Sequence, residues 1–235
     1  MKLKIEAASG IGSRMTQEDC LLLGEKSIET LPRQNVSAFF VDTDKKHFLV
    51  GVLDGIGSCS YATLASSMTA AKIQSVFYSK EEGNEQLTAA ERLDSACEQA
   101  SEKLAMLNHS FGSIEAATTI TAVAFSERQL HLWATGDSPA YLYRQHTLRP
   151  LFETMNDGNR LLAFAGGPNT DFITSTYDLE AGDTVLLLTD GILRPKMLLL
   201  ALRLGLSAQA IVRLSTTLKP YADNATLIKI DVVEV

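Results

Sequence analysis

Hydrophobic and polar positions alternate along the first quarter of the chain in the way that strands require. Apolar stretches bounded by turn residues predict strands at 2–8, 20–23, 36–41 and 47–53. The polar turn 42–46 predicts a hairpin between the last two of these strands. The polar stretch 25–35, which contains Pro32, predicts a loop.

Helical spacing follows in the middle of the chain. Apolar residues recur at intervals of three and four over 60–78, and this predicts a helix. A second helix is predicted over 85–107, and Gly112 ends that region. Alternation then returns and predicts an antiparallel meander with strands at 117–125, 129–135, 140–143 and 148–151.

The last third of the chain combines both patterns. Residues 155–170 are glycine-rich and irregular. Beyond them, strands are predicted at 172–177, 184–189 and 226–233, and helices at 197–204 and 208–218. Strands and helices do not alternate one by one, which disfavours a parallel βαβ architecture. We expect an α+β fold of antiparallel sheets covered by helices, in a single domain of residues 1–235.

Composition narrows the class of protein. Of 235 residues, 46% are hydrophobic and 21% are charged, as in ordinary globular proteins. The net charge of −7 leaves no basic excess to neutralise phosphates, so no nucleic-acid partner is expected. Three widely spaced cysteines predict reduced thiols in a cytoplasmic protein. The charged N-terminus and short apolar runs predict neither a signal peptide nor a membrane span.

Two apolar strands end in the same dipeptide. Val50–Leu53 runs into Asp54-Gly55, and Val185–Leu188 leads through Thr189 to Asp190-Gly191. A carboxylate at the end of a buried strand costs free energy unless a partner compensates it. The partner could be a helix N-terminus, a lysine or a divalent cation. The repeated pattern predicts that two such carboxylates converge on one point.

Further acidic residues lie at turns next to predicted strands. Each by itself is an ordinary turn residue, but together they offer the oxygen ligands that Mg²⁺ or Mn²⁺ prefers. The histidines are scattered along the chain and form no zinc motif. The candidate ligands are Glu18, Asp19, Asp54, Asp137, Asp190 and Asp223.

Five motifs in order along nearly the whole chain resemble those of metal-dependent protein serine/threonine phosphatases of the PP2C (PPM) type. The resemblance implies a four-layer α-β-β-α sandwich, in which helices flank two mainly antiparallel sheets. Each motif alone is weak, whereas their common order is specific. The motifs are RMTQED at 14–19, VLDGIG at 52–57, TT at 118–119 with ATGDSPAYLYR at 134–144, GDTVLLLTDGI at 182–192, and DNAT at 223–226.

The resemblance also implies metal ligands, residue by residue. Asp54 would bridge two Mn²⁺ or Mg²⁺ ions, and Asp190 and Asp223 would complete the shell of one of them. Glu18 and the carbonyl of Gly55 would serve the other ion, partly through water. An activated water between the ions would attack phosphorus directly, with no covalent enzyme intermediate.

The remaining roles concern support and substrate. By resemblance, Asp19 would support the metal ligands, and Asp137 would belong to a looser third ion. Arg14 would hold the substrate phosphate, although a surface ion pair with Glu18 is an alternative. The family resemblance implies a phosphorylated protein as substrate.

A monomeric, cytoplasmic, bacterial protein is expected.

The chain departs from the family pattern in two regions. After Gly57 the usual Gly-His and Glu are absent, and Ser58 or Ser60 would cap the next helix. Between Arg144 and Gly182 the chain is short and lacks the family's usual motifs in the substrate-facing flap. Substrate choice is therefore the part of the resemblance that transfers least.

Three alternatives remain open. The D-x-D of 42–44 after an apolar strand resembles the nucleophile motif of haloacid-dehalogenase-like phosphatases, although a hairpin turn explains it better. The chain could be a PP2C-like regulatory or binding module with weak or no catalysis. It could also hydrolyse small phosphate esters rather than phosphoproteins.

Overall fold

Two antiparallel sheets lie face to face in the computed structural model of the chain. The structure describes residues 1–29, 37–43, 47–80, 86–158, 160–167, 171–218 and 222–235. Apolar side chains from both sheets meet between them and form the central core. The expected α+β sandwich is therefore confirmed at its centre.

The first sheet contains the strands nearest the two ends of the described chain. Its strands are β1 (Lys2–Gly10), β4 (Ser37–Thr43), β8 (Ala140–Arg144), β9 (Thr147–Pro150), β13 (Thr184–Leu188) and β14 (Ala225–Glu234). Their order is β4-β1-β14-β13-β8-β9. Because β1 and β14 pair antiparallel, the loop after β1 and the loop before β14 lie at the same end of the strands.

The second sheet takes three strands from each half of the chain. Its strands are β2 (Asp19–Leu23), β3 (Lys26–Glu29), β5 (His47–Asp54), β6 (Ile120–Ser126), β7 (Gln129–Thr135) and β12 (Ile173–Asp178). Their order is β12-β7-β6-β5-β2-β3. A separate two-stranded ribbon joins β10 (Asn156–Asp157) to β11 (Arg160–Leu161).

Helices cover the outer face of each sheet and complete the four layers. Helices α1 (Ala62–Phe77) and α2 (Ala89–Phe111) pack on the second sheet, and α3 (Pro195–Arg203) and α4 (Ala208–Leu218) pack on the first. Helix α2 begins with a capping box, because Thr88 and Glu91 exchange hydrogen bonds. It ends at Gly112, whose φ of 75° suits glycine.

Two predicted strand pairings were wrong. The turn 42–46 does not make a hairpin, because β4 pairs with β1 in the first sheet while β5 lies between β2 and β6 in the second. Residues 44–46 lie outside the described part. The meander also stops after β7, because β8 crosses to the first sheet and pairs with β13. Alternation specifies which face of a strand is buried, not which neighbour it takes.

Smaller differences concern element ends. The expected loop 25–35 contains β3, an edge strand that needs only backbone pairing with β2 and therefore tolerates polar residues. Residues 30–35 lie outside the described part. Helix α2 continues one turn beyond residue 107, because the Asn108 side chain bonds carbonyl and amide groups of the following loop. The irregular stretch 155–170 contains β10 and β11.

Candidate active site

Carboxylates from several strand ends meet at one edge of the sandwich. Asp19 and Asp54 are direct partners in the β2–β5 register, so the two residues lie side by side. Asp190 follows β13, and Asp223 precedes its partner strand β14. The convergence predicted from the Asp-Gly strand ends is therefore present.

These residues surround a cleft of about 190 Å³. The cleft contains most of the candidate residues, whereas Asp19 lies buried behind it. Arg14 is its one basic lining residue within the described chain. The cleft is lined by Arg14, Glu18, Asp54, Gly55, Ile56, Gly57, Thr119, Asp137, Leu161, Asp190 and Asp223.

Asp19 is held by two threonines. Its Oδ2 accepts hydrogen bonds from Thr189 Oγ1 at 2.9 Å and from Thr226 Oγ1 at 2.6 Å. Burial raises the pKa of Asp19 to about 7, the threonine hydrogen bonds oppose this rise, and the charges of Asp190 and Asp223 add to it. This carboxylate fixes two strand ends of the first sheet and one of the second at a single point.

Replacing Thr226 by valine tests this arrangement. The variant loses a hydrogen bond that favours ionised Asp19, so the pKa of Asp19 rises further. We expect the free energy of unfolding to fall by about 1.5–3 kcal/mol at pH 8.5, where Asp19 is ionised. The loss should be smaller at pH 5.5, where Asp19 is protonated. Urea denaturation at both pH values checks this, with exposed Thr174→Val as the control.

A pH-independent loss, or an equal loss in the control variant, would contradict that account. The direction of this pH dependence follows from the difference between the pKa of Asp19 in the folded protein and in the unfolded chain. A raised pKa in the folded state means that the native protein binds more protons than the unfolded chain between pH 4 and 7. The contribution of Asp19 to stability is therefore lost as pH rises through its folded pKa.

Asp54 is fixed by its backbone and surrounded by negative charge. Its N–H donates to Thr119 Oγ1 at 3.0 Å, and its carbonyl accepts from the Thr119 N–H at 2.8 Å. Burial raises the pKa of Asp54 well above its ordinary value, and repulsion from Asp19, Asp190 and other carboxylates adds to this. Such a carboxylate gains most from a nearby cation.

Arg14 and Asp223 form an ion pair at the mouth of the cleft. The hydrogen bond and the charge of Asp223 raise the pKa of the Arg14 guanidinium. The Arg14 side chain is 51% exposed, so water competes with this contact. The predicted alternative, a pair with Glu18, is not the contact that Arg14 makes. Glu18 instead accepts a hydrogen bond from Thr16 Oγ1 at 3.1 Å.

Close backbone approaches leave space only for glycine at two of the motif positions. A Cβ on Gly191 would lie 1.8 Å from the carbonyl oxygen of Asn224. A Cβ on Gly55 would lie 2.4 Å from the carbonyl oxygen of Ala62. The loop that carries Asp190 therefore packs backbone against backbone on the loop of residues 223–224. The turn after Asp54 packs in the same way on the start of α1.

The donor set fits hard divalent cations. All candidate side chains offer oxygen. Burial raises the pKa of Asp19, Asp54 and Asp137, and repulsion from neighbouring carboxylates adds to this for Asp19 and Asp54. A Cβ on Gly57 would lie 2.9 Å from Glu18 Oε2, so glycine leaves room beside that carboxylate. Within the described residues, however, no three His, Cys, Asp or Glu side chains form a closed metal shell. One of the candidate metal ligands, Asp223, forms an ion pair with Arg14.

Sequence reasoning missed several residues that shape the site. Asn224 ties the loop before β14 to the 11–18 loop, because its Oδ1 accepts from the Glu18 N–H at 2.8 Å and its Nδ2 donates to the carbonyls of Ile11 and Thr16. Its place in the D-N-x-T motif is the signal that could have indicated this role. Leu161, from the irregular stretch, also lines the cleft, and its place at the start of a segment similar to the end of the family's flap motif is the signal that could have indicated this.

The helix after Gly57 begins differently from the prediction. Tyr61 is the N-cap residue of α1, and its side chain makes no capping hydrogen bond. Ser60 was a predicted cap, but its Oγ donates to Glu115 Oε2 at 2.5 Å. The Tyr61 N–H is held by the Glu115 carbonyl at 2.9 Å. The loop between α2 and β6, which contains Glu115, therefore holds the turn at the start of α1.

Comparison with protein-family models matches residues 44–228 to the family described as Stage II sporulation protein E (SpoIIE). The match includes four of the five motifs and most of the chain. The chain belongs to the SpoIIE family. No curated protein matches its sequence.

Solved structures confirm a PP2C-like fold for this SpoIIE-family chain. The serine/threonine phosphatase PstP/Ppp of Mycobacterium tuberculosis superposes with a TM-score of 0.77 at 19% identity, covering 100% of both chains. The catalytic domain of PstP with two manganese ions gives 0.74 at 21% identity, again over 100% of both chains. The S. agalactiae serine/threonine phosphatase gives 0.77 at 18% identity, covering 98% of this chain and 99% of that one.

The haloacid-dehalogenase-like alternative fails on the fold. Its D-x-D motif would be followed by a helix, whereas the next described element after β4 is strand β5, and β4 itself pairs antiparallel with β1. None of the described helices is long and apolar enough to cross a membrane.

Proposed function

We propose that this SpoIIE-family chain is a metal-dependent phosphatase that hydrolyses phosphoserine or phosphothreonine esters of proteins. The observation that carries the proposal is a cleft in which one arginine lies among five carboxylates. A guanidinium suits a phosphate, and the carboxylates suit cations that neutralise it. The relatives named as serine/threonine phosphatases, one of them with two manganese ions, support the assignment.

Each acidic residue has a proposed place. When bound, two or three Mn²⁺ or Mg²⁺ ions would supply an activated water and offset charge on the phosphoryl oxygens. Asp54 would bridge two sites, with Asp190 and Asp223 on one side and Glu18 with the Gly55 carbonyl on the other. Asp137 would belong to a third site, and Asp19 would hold the strand ends behind them.

Arg14 is the proposed phosphate-positioning residue. Its ion pair with Asp223 lies at the exposed mouth, so the guanidinium can exchange one oxyanion partner for another at little cost. We propose that Asp223 serves as a metal ligand in the loaded enzyme and that Arg14 then binds a phosphate oxygen. Its planar fork suits two phosphoryl oxygens at once.

An assay with p-nitrophenyl phosphate and a phosphoserine/phosphothreonine peptide panel tests the function. We expect hydrolysis with Mn²⁺ or Mg²⁺ and its loss with a chelator. Restoration of activity by added Mn²⁺ excludes damage by the chelator. Hydrolysis without any divalent ion, or none with any ion tested, would reject the proposal.

Replacement of Arg14 by alanine separates its two roles. We expect kcat/KM to fall by about 10- to 1000-fold, because a charged donor to the transition state is lost. Mn²⁺ should bind at least as tightly as in the parent protein, because Asp223 no longer has an arginine partner. Steady-state kinetics and Mn²⁺ titration measure the two effects. Weaker Mn²⁺ binding would contradict the proposed exchange.

Hydrolysis of small phosphate esters is the second candidate, because the described lining of the cleft provides for the phosphoryl group and not for a peptide. About 190 Å³ holds a phosphoryl group but little of the molecule attached to it. A phosphatase of small esters would hydrolyse them with a higher kcat/KM than any phosphopeptide. A binding module would retain phosphopeptide affinity without turnover in the same assay.

A further inference from the structure

A second cavity lies between α2 and the edge of the second sheet. Its volume is about 300 Å³, and it shares no lining residue with the carboxylate cleft. It continues past Ala105 and Gly167 into a wider groove of about 570 Å³ along the end of α2. The cavity is lined by Glu98, Ser101, Glu102, Ala105, Trp133, Gly167 and Phe172.

Two buried polar atoms belong to side chains that line this cavity. In the described part of the chain, neither Trp133 Nε1 nor Ser101 Oγ has a hydrogen-bond partner. Trp133 is 0% exposed and Ser101 is 5% exposed. An unsatisfied buried donor costs free energy, so native proteins pair such groups with protein, water or a ligand. The indole N–H can only donate, and it therefore requires an acceptor.

An aromatic surface forms one wall. The rings of Trp133 and Phe172 stack with centroids 5.0 Å apart and an interplanar angle of 19°. Phe172 is 43% exposed, so part of this stack is open to a further ring. Flat aromatic groups pack well on such surfaces, and the volume lies at the lower end of the range for small-molecule sites.

The rim of the cavity is acidic. Glu98 and Glu102 are four residues apart on α2, so they project from the same face of the helix, and both are exposed. No lysine or arginine lines the cavity in the described structure. Two carboxylates without a basic neighbour in the lining favour a positively charged ligand over a neutral or anionic one.

We propose that this cavity binds a planar aromatic cation that also carries a hydrogen-bond acceptor. The ring packs beside Trp133 and Phe172, an acceptor oxygen or nitrogen takes the indole N–H, and an amidine or amine contacts the glutamates. The site is separate from the carboxylate cleft, so this inference does not depend on the proposed phosphatase function.

Trp133 is the single tryptophan of the chain, so tryptophan fluorescence, excited at wavelengths where tyrosine does not absorb, reports on this cavity. Three probes of one shape differ only in charge: 4-amidinobenzamide (positive), terephthalamide (neutral) and 4-carbamoylbenzoate (negative). All three offer a carbonyl to the indole N–H. We expect saturable quenching by the amidine, at least about tenfold weaker binding of the neutral amide and no binding of the anion.

Glutamate-to-glutamine variants test whether the rim of this cavity selects the positively charged probe. Glu98→Gln combined with Glu102→Gln should make the amidine bind no better than the neutral amide, while leaving the helix intact. Glu234→Gln, an exposed glutamate at the end of β14, is the control and should bind all probes like the parent protein. Absence of saturable quenching, equal affinity for all three charges, or an unchanged charge preference in the double variant would each overturn the proposal.

Discussion

Asp54→Asn is expected to abolish hydrolysis while making the metal-free protein more stable. Activity should fall by at least about 100-fold, because the central carboxylate of the cleft no longer attracts cations. The melting temperature without metal should rise by about 2–4 °C for each kcal/mol of relieved repulsion. The reason is that Asp54 is half-buried beside Asp19 and Asp190, so that desolvation and their repulsion raise its pKa and penalise its charge.

Paired melting curves and activity assays decide this prediction. The parent protein should gain stability with Mn²⁺, and the variant should gain much less. Asp178→Asn, which changes an exposed aspartate on β12, should leave both activity and the Mn²⁺ effect unchanged. A destabilised, inactive Asp54→Asn variant would indicate a structural role instead and would contradict the account of buried repulsion.

Gly191→Ala is expected to be the most destabilising single-methyl change in the site. The added Cβ would lie 1.8 Å from the Asn224 carbonyl oxygen, so one of two backbone segments must move. We expect a loss of about 3 kcal/mol in unfolding free energy, at the upper end for overpacking. Movement of either segment also separates Asp190 from Asp223, and Mn²⁺ affinity should fall with stability.

Gly182→Ala provides the matched comparison. Gly182 has a φ of 92° and nothing within 4 Å of its would-be Cβ, so alanine there costs only backbone strain of about 1–2 kcal/mol. Guanidinium denaturation of both variants gives the ranking. Equal midpoints would show that the steric contact at Gly191 relaxes freely, and the predicted loss of Mn²⁺ affinity would then also be absent.

The sequence predicted the site better than it predicted strand partners. Asp54 and Asp190 were recognisable because an apolar run must be buried, and an acid at its end then needs compensation. The same apolar runs carry no information on pairing, so β4 and β8 were assigned to the wrong neighbours. Each of these strands pairs in the first sheet although the preceding strand along the chain lies in the second, and local residues do not encode that choice.

Other parts of the site depend on contacts between distant residues. Thr226 and Thr189 read as ordinary strand residues, and only the fold brings their hydroxyls to Asp19. Asn224 could be noted as part of a motif, but its three hydrogen bonds to the distant 11–18 loop could not be predicted. The Arg14 contact with Asp223, 209 positions away, was likewise beyond any local pattern.

The pairing of β1 with β14 has a consequence for synthesis of the protein on the ribosome. β1 is made about 200 residues before β14, yet β14 is one of its neighbours in the sheet. Until that strand emerges, β1 keeps an unpaired edge of the kind that invites aggregation. The nascent chain should therefore expose this edge to chaperones while the residues between β1 and β14 are made, and cation binding at the cleft should begin only after β14 has emerged.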